Sequence, residues 1–214
     1  MPEKWLRTNE CLDVLSSLEH ATMSLQLVPS KPREWKWVIL ATHSTIQGAL
    51  VCVLAGSTGA GCLTDKSEQK MLEWLENRKT RATVKSPEER VAELPVLLKR
   101  SYDANRMAYL GGKEMPLEIN INQDILKLHS LRNQFTHFSP SSWSIETEGL
   151  PRIIRSAMLF SQRVLLNHPA SKISLIPEIR AQITSQLEQV SDALKVLGVK
   201  ELPDPLDPSQ KLTK

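Results

Sequence analysis

The run IPEIRAQITSQLEQVSDALKVLG, residues 176–198, decides the class of the fold. Ile176, Ile179, Ile183, Leu187, Val190, Leu194 and Leu197 recur at intervals of three or four, which lays one apolar stripe along a helix. A strand would need alternation in twos. Gly198 follows the last apolar residue, where a helix commonly closes on a left-handed residue. Beyond it, the proline-rich ELPDPLDPSQKLTK (201–214) offers too little apolar surface to order itself and is expected to be a disordered tail.

Working back from this helix, every long periodic segment follows the same repeat. Residues 151–167 start at Pro151, a favoured first helical position. A helix capped by Asn120 or Asn122 carries Ile125, Leu128, Leu131, Phe135 and Phe138, and stops at Ser139 because Pro140 pushes the preceding residue out of helical angles. Ser86, Pro87, Glu88 and Glu89 form a capping-box start for a helix reaching Asn105, bent near Pro95. A shorter helix over 67–79 turns Met71, Leu72, Trp74 and Leu75 inward. Residues 33–55 form a long second helix ending at Gly56. The first helix, 9–27, is capped by Thr8 or Asn9 and carries Leu12, Leu15, Leu18 and Leu25. The expectation is all-α: one helical domain over residues 1–200, a bundle of five to seven helices with no sheet.

Composition limits the function classes. A hydrophobic share of 41% excludes a wholly disordered chain, and a net charge of +3 permits nucleic acid without demanding it. Cys11, Cys52 and Cys62 make no CxxC pair and no even framework, so neither a zinc module nor a disulfide scaffold is indicated and a reducing cytoplasm fits. MPEKWLRTNE lacks the apolar run of a signal peptide. WVILATHSTIQGALVCVLAG (37–56) is interrupted by His43, Ser44, Thr45 and Gln47, which marks a core helix and no membrane span.

Four motifs carry possible chemistry. GSTGAGCL (56–63) has phosphate-loop glycine spacing, but Cys62 and Leu63 replace the lysine and hydroxyl residue, and a helix precedes it, so it reads as a connection. NRKTRATVK (77–85) gathers Arg78, Lys79, Arg81 and Lys85 without an acid and could meet RNA phosphates, although a solvated loop is the commoner reason for such a run. His129, Asn133 and His137, spaced by four, share a helix face, but two histidines without further donors do not make a metal site. His43 and His168 stand at no recognisable spacing, and nothing points to a cofactor. Finally, RNQFTH (132–137) joins a fork for phosphate, Arg132, to a proton carrier, His137, with Asn133 as an orienting amide. From spacing alone, a capping histidine and a solvated arginine are the commoner explanation of these residues.

RNQFTH resembles the signature of the HEPN superfamily, an arginine and a histidine separated by four to six residues, with Asn, Asp or His often following the arginine. The framework over residues 33–165, including EWKWVILATHSTIQGALVCVLAG and FSPSSWSIETEGLPRI, is similar to small bacterial HEPN-like proteins. The resemblance implies a helical bundle that forms a homodimer with two motifs facing one cleft. It also implies metal-independent endoribonuclease activity in toxin or defence systems, with a protein antitoxin or regulatory partner. The alternative it implies is a catalytically inactive dimeric module that binds a protein partner or a nucleotide. Some toxin members carry a modifiable tyrosine two residues after the histidine, where this chain has Ser139. In a regular helix Arg132 and His137 point about 140° apart, so either the last turn distorts or a second protomer supplies the complementary group.

Overall fold

The computed structural model describes residues 5, 6, 8–77, 85–137, 142–171, 175–200 and 202. Eight α-helices occur among them: α1 (Glu10–Leu27), α2 (Trp35–Leu54), α3 (Asp65–Glu76), α4 (Leu94–Ser101), α5 (Ala104–Tyr109), α6 (Ile119–Thr136), α7 (Leu150–Gln162) and α8 (Pro177–Val196). Short 3₁₀ turns precede α2 and α3, and a π turn over Arg163–Asn167 extends α7. The described residues include no strand, only an isolated antiparallel bridge between Leu63 and Val91.

α2 is the hub. It packs against α1, α4, α6 and α7, while α8 closes over α1 and α6 lies along α7. Fourteen of the twenty residues of α2 are buried, so a segment apolar enough to cross a membrane instead fills the centre of a bundle. Gly48 sets how closely α1 can approach, because a Cβ there would stand 2.5 Å from Val14 Cγ2. One apolar cluster extends from Cys11 to Leu202.

α6, which bears the RNQFTH motif, is fixed on both flanks. Ile121, Ile125, Leu128 and Leu131 face the core. On the α7 side, the buried Asp124 carboxylate accepts from Arg152 Nη1 and from Ser156 Oγ, each at 2.6 Å to Oδ2. The partner guanidinium is well exposed, so a buried acid is neutralised without burying a second charge.

Several expectations need correction. The helix expected from Ser86 to Asn105 is two helices, and residues 86–93 are not helical. Pairing between segments overrides the local capping signal: Thr64 N–H donates to Arg90 O at 2.7 Å and Ala92 N–H to Cys62 O at 2.9 Å. Pro95 then takes the first turn of α4, and Asp103 starts α5 by accepting from Arg106 N–H at 3.1 Å. This division raises the helix count to eight. Asn120 and Asn122 lie inside α6, whose cap position is Glu118. Asn9, as expected, caps α1 through Leu12 N–H at 2.9 Å. Leu72 is exposed, and Ile176 lies outside α8 with 59% of its surface exposed, because Pro177 begins the helix. Leu202 departs from a disordered tail: it is buried, and its N–H donates to Ser191 Oγ at 3.0 Å. Phe138 and residues 203–214 lie outside the described residues.

Candidate functional site

Arg132, Asn133 and His129 occupy the last two turns of α6, on the flank that faces α2. Asn133 follows His129 by four residues, so the two side chains meet on one helix face. Asn133 Nδ2 lies 3.2 Å from His129 Nε2. On the far side of His129, its Nδ1 lies 3.0 Å from Nε2 of His43, a buried residue of α2. The two imidazoles are stacked with 26° between planes and 5.2 Å between centroids. Arg132 Nη1 donates to Asn133 Oδ1 at 3.0 Å. One hydrogen-bonded chain thus runs from the core of the bundle to a guanidinium at its surface.

The chain's donors and acceptors fix its protonation. A guanidinium only donates, so Asn133 turns its oxygen to Arg132 and its NH₂ to His129. His129 Nε2 must then accept, which leaves the proton on Nδ1, and that N–H donates to His43 Nε2. Both rings are neutral in this arrangement. The electrostatics agree. Burial, then the Arg132 charge, then His129 push the pKa of His43 down to about 3. Burial also lowers His129, with Arg132 adding to the effect and Glu93 opposing it.

Arg132 is half-buried and makes no ion pair among the described residues. Held by an amide beside two neutral rings, it has donors left over for a carboxylate or phosphate. His137 stands apart. α6 ends at Thr136, and His137 leaves the helical path with φ −114° and ψ 76° while its N–H still closes on Asn133 O at 2.9 Å. Its side chain is exposed and forms no hydrogen bond with Arg132 or Asn133. The backbone therefore departs from the repeat at His137, one of the two routes by which the divergence on a helical wheel can be relieved.

The structure brings Arg132 and Asn133 together and leaves His137 separate. It adds His43 and His129, which the sequence did not single out as a pair. The four-residue step from His129 to Asn133 was visible, but nothing in the spacing of eighty-six residues links His43 to His129. Of the basic linker, Lys85 is exposed, while Arg78, Lys79 and Arg81 lie outside the described residues. Among the described residues no three His, Cys, Asp or Glu side chains gather as metal ligands.

No protein-family model, curated protein or solved structure matches this chain. The site is marked by its own groups: a guanidinium oriented by an amide and without an ion pair among the described residues, a neutral histidine pair behind it, and a solvent-facing histidine one turn beyond.

Two clefts flank the other sides of α6. A polar one of about 570 Å³ follows Gln123, Lys127 and Gln134, and a more apolar one of about 440 Å³ opens at Phe135. Neither is lined by Arg132, Asn133 or His137.

Proposed function

We propose that this chain is a HEPN-like endoribonuclease that cleaves RNA without a metal ion and acts as a two-fold dimer in a cytoplasmic toxin or defence system. The observation that carries the proposal is Arg132: a half-buried cation with no carboxylate partner among the described residues, held by Asn133 on the same short segment as an exposed histidine. In the reaction, His137 removes the proton from a ribose 2′-OH, the oxygen attacks the adjacent phosphorus, and the bond to the 5′ oxygen breaks. The leaving oxygen takes up a proton, giving a 2′,3′-cyclic phosphate and a 5′-hydroxyl end. Arg132 holds the phosphate and stabilises the charge gathering on its oxygens. In the dimer, Arg132 of one protomer works with His137 of its partner, the second of the two routes that the helix geometry leaves open.

Incubation of the protein with single-stranded RNA in EDTA is expected to yield fragments ending in 2′,3′-cyclic phosphate, while DNA of the same sequence, lacking the 2′-OH, stays intact. Cleavage of both, or ends bearing a 3′-hydroxyl, would contradict the mechanism.

A second reading, a HEPN-like dimer that binds a partner or nucleotide without cleavage, draws on a different observation. Both described clefts touch the motif only at Gln134 or Phe135, and neither is lined by Arg132, Asn133 or His137. Absence of cleavage on varied RNAs, with retained binding, selects that reading.

A further inference from the structure

The apolar cleft is built unlike the rest of the surface. One wall is the 3₁₀ turn and first turn of α2, with Arg33, Trp35 and Lys36; the other is Phe135 of α6 with Trp143 and Ile145 from the segment before α7. Phe135 and Trp143 meet edge to face at 63° with 4.8 Å between centroids, which fixes the Trp143 ring. Trp143 nevertheless keeps 40% of its surface exposed. Among the described residues no acid lines this cleft; Glu146 from the same segment lines the polar cleft instead. Arg33 is exposed and makes no ion pair among the described residues. Lys36 lies near the Trp37 ring, 4.8 Å from its centroid.

A surface indole steadied by a second ring, bordered by cations and with no acid among the described lining residues, matches a ligand that is planar and apolar at one end and anionic at the other. That is the description of a nucleotide: bases stack on exposed aromatic faces, and phosphates seek arginine and lysine. Phe135 lies three residues after Arg132, so along α6 the two differ by a rise of about 4.5 Å. A base held here belongs to a strand that can also reach the motif.

We propose that this cleft is a base-binding subsite, in which Trp143 stacks a nucleobase and Arg33 holds the adjoining phosphate. The subsite takes a nucleotide of a single-stranded RNA, and it rests on the reading of the chain as an RNA-directed protein. A free mononucleotide has the same chemistry, so the test separates the two sources.

The full chain carrying His137→Ala, which leaves the probe uncut, is titrated with oligoadenylate of six nucleotides, with AMP and with adenosine, by isothermal titration calorimetry. The hexamer is expected to bind at least tenfold more tightly than AMP, and AMP more tightly than adenosine. Trp143→Ala is expected to weaken hexamer binding about tenfold or more, as loss of a stacked base does. Arg33→Gln, at an exposed site where folding is not at stake, should weaken hexamer and AMP binding and flatten the salt dependence without affecting adenosine. AMP binding as tightly as the hexamer would replace RNA by a free nucleotide as the occupant and overturn that part of the proposal. Unchanged hexamer affinity in both variants would overturn the subsite. These outcomes are independent of cleavage: hexamer binding that needs Trp143 in a protein whose wild type cuts no RNA sinks the ribonuclease reading and leaves the subsite standing. Cleavage that is indifferent to Trp143 and Arg33 does the reverse.

Discussion

Replacement of His137 by alanine is expected to lower RNA cleavage about 10²- to 10⁴-fold, the usual contribution of a positioned proton-transfer group. Folding should be unaffected. The His137 side chain is exposed at the end of α6, and only its backbone N–H contributes to the helix, through Asn133 O. Arg132→Ala should lose nearly as much, because the phosphate then has no fork. Arg132→Lys should recover part of the activity, since it keeps the charge and loses the paired donors. His129→Ala is expected to fall between wild type and these variants: it removes the contact that turns Asn133, and Asn133 in turn orients Arg132. Rates measured in EDTA beside melting curves check the series. Wild-type cleavage by His137→Ala would remove the residue from the mechanism.

Mild acid should destabilise the protein through His43. Its pKa falls from the ordinary 6.5 to about 3 on folding, so between these values the unfolded chain binds a proton that the folded chain refuses. Stability is therefore complete above about pH 6.5, declines as the pH falls below that value, and stops declining through this group near pH 3. Over the span from pH 6.5 to 5 the loss amounts to about 2 kcal/mol. Charged groups around the pair do not reverse the direction. Arg132 disfavours a charge on either ring, and the opposing influence of Glu93 acts on His129. A protonated His43 would also present an N–H to the Nδ1–H of His129 and break the chain that leads to Arg132. The check is denaturant unfolding at a series of pH values for wild type and His43→Gln, which keeps an acceptor for His129 without a titrating ring. The variant should show a flatter profile over this range, and parallel profiles would contradict the assignment.

The bundle was legible wherever helices bury a regular stripe. The 3.6-residue repeat of Ile183, Leu187, Val190 and Leu194 placed α8, and Leu128 and Leu131 oriented α6. It failed at residues 86–93, where Ser86, Pro87 and Glu89 made a persuasive local start. A local cap is worth about 1 kcal/mol, and two backbone hydrogen bonds to residues 62–64 together with the burial of Ala92 outweigh it. The site divides in the same way. Arg132, Asn133 and His137 are local in sequence and could be read as a motif. His43 becomes meaningful only when α2 and α6 are packed, because a contact across eighty-six residues leaves no trace in spacing. Trp143 and Arg33 likewise meet only in space.

The proposed pairing of Arg132 in one protomer with His137 in its partner is tested most directly by mixing two inactive proteins. Arg132→Ala and His137→Ala are combined in equal amounts, subunit exchange is confirmed by native mass spectrometry, and RNA cleavage is measured in EDTA. Random exchange makes half of the dimers mixed, and each mixed dimer rebuilds one intact site of two, so about a quarter of wild-type activity should return. Activity that stays at the level of either variant alone after confirmed exchange would contradict a site shared between protomers.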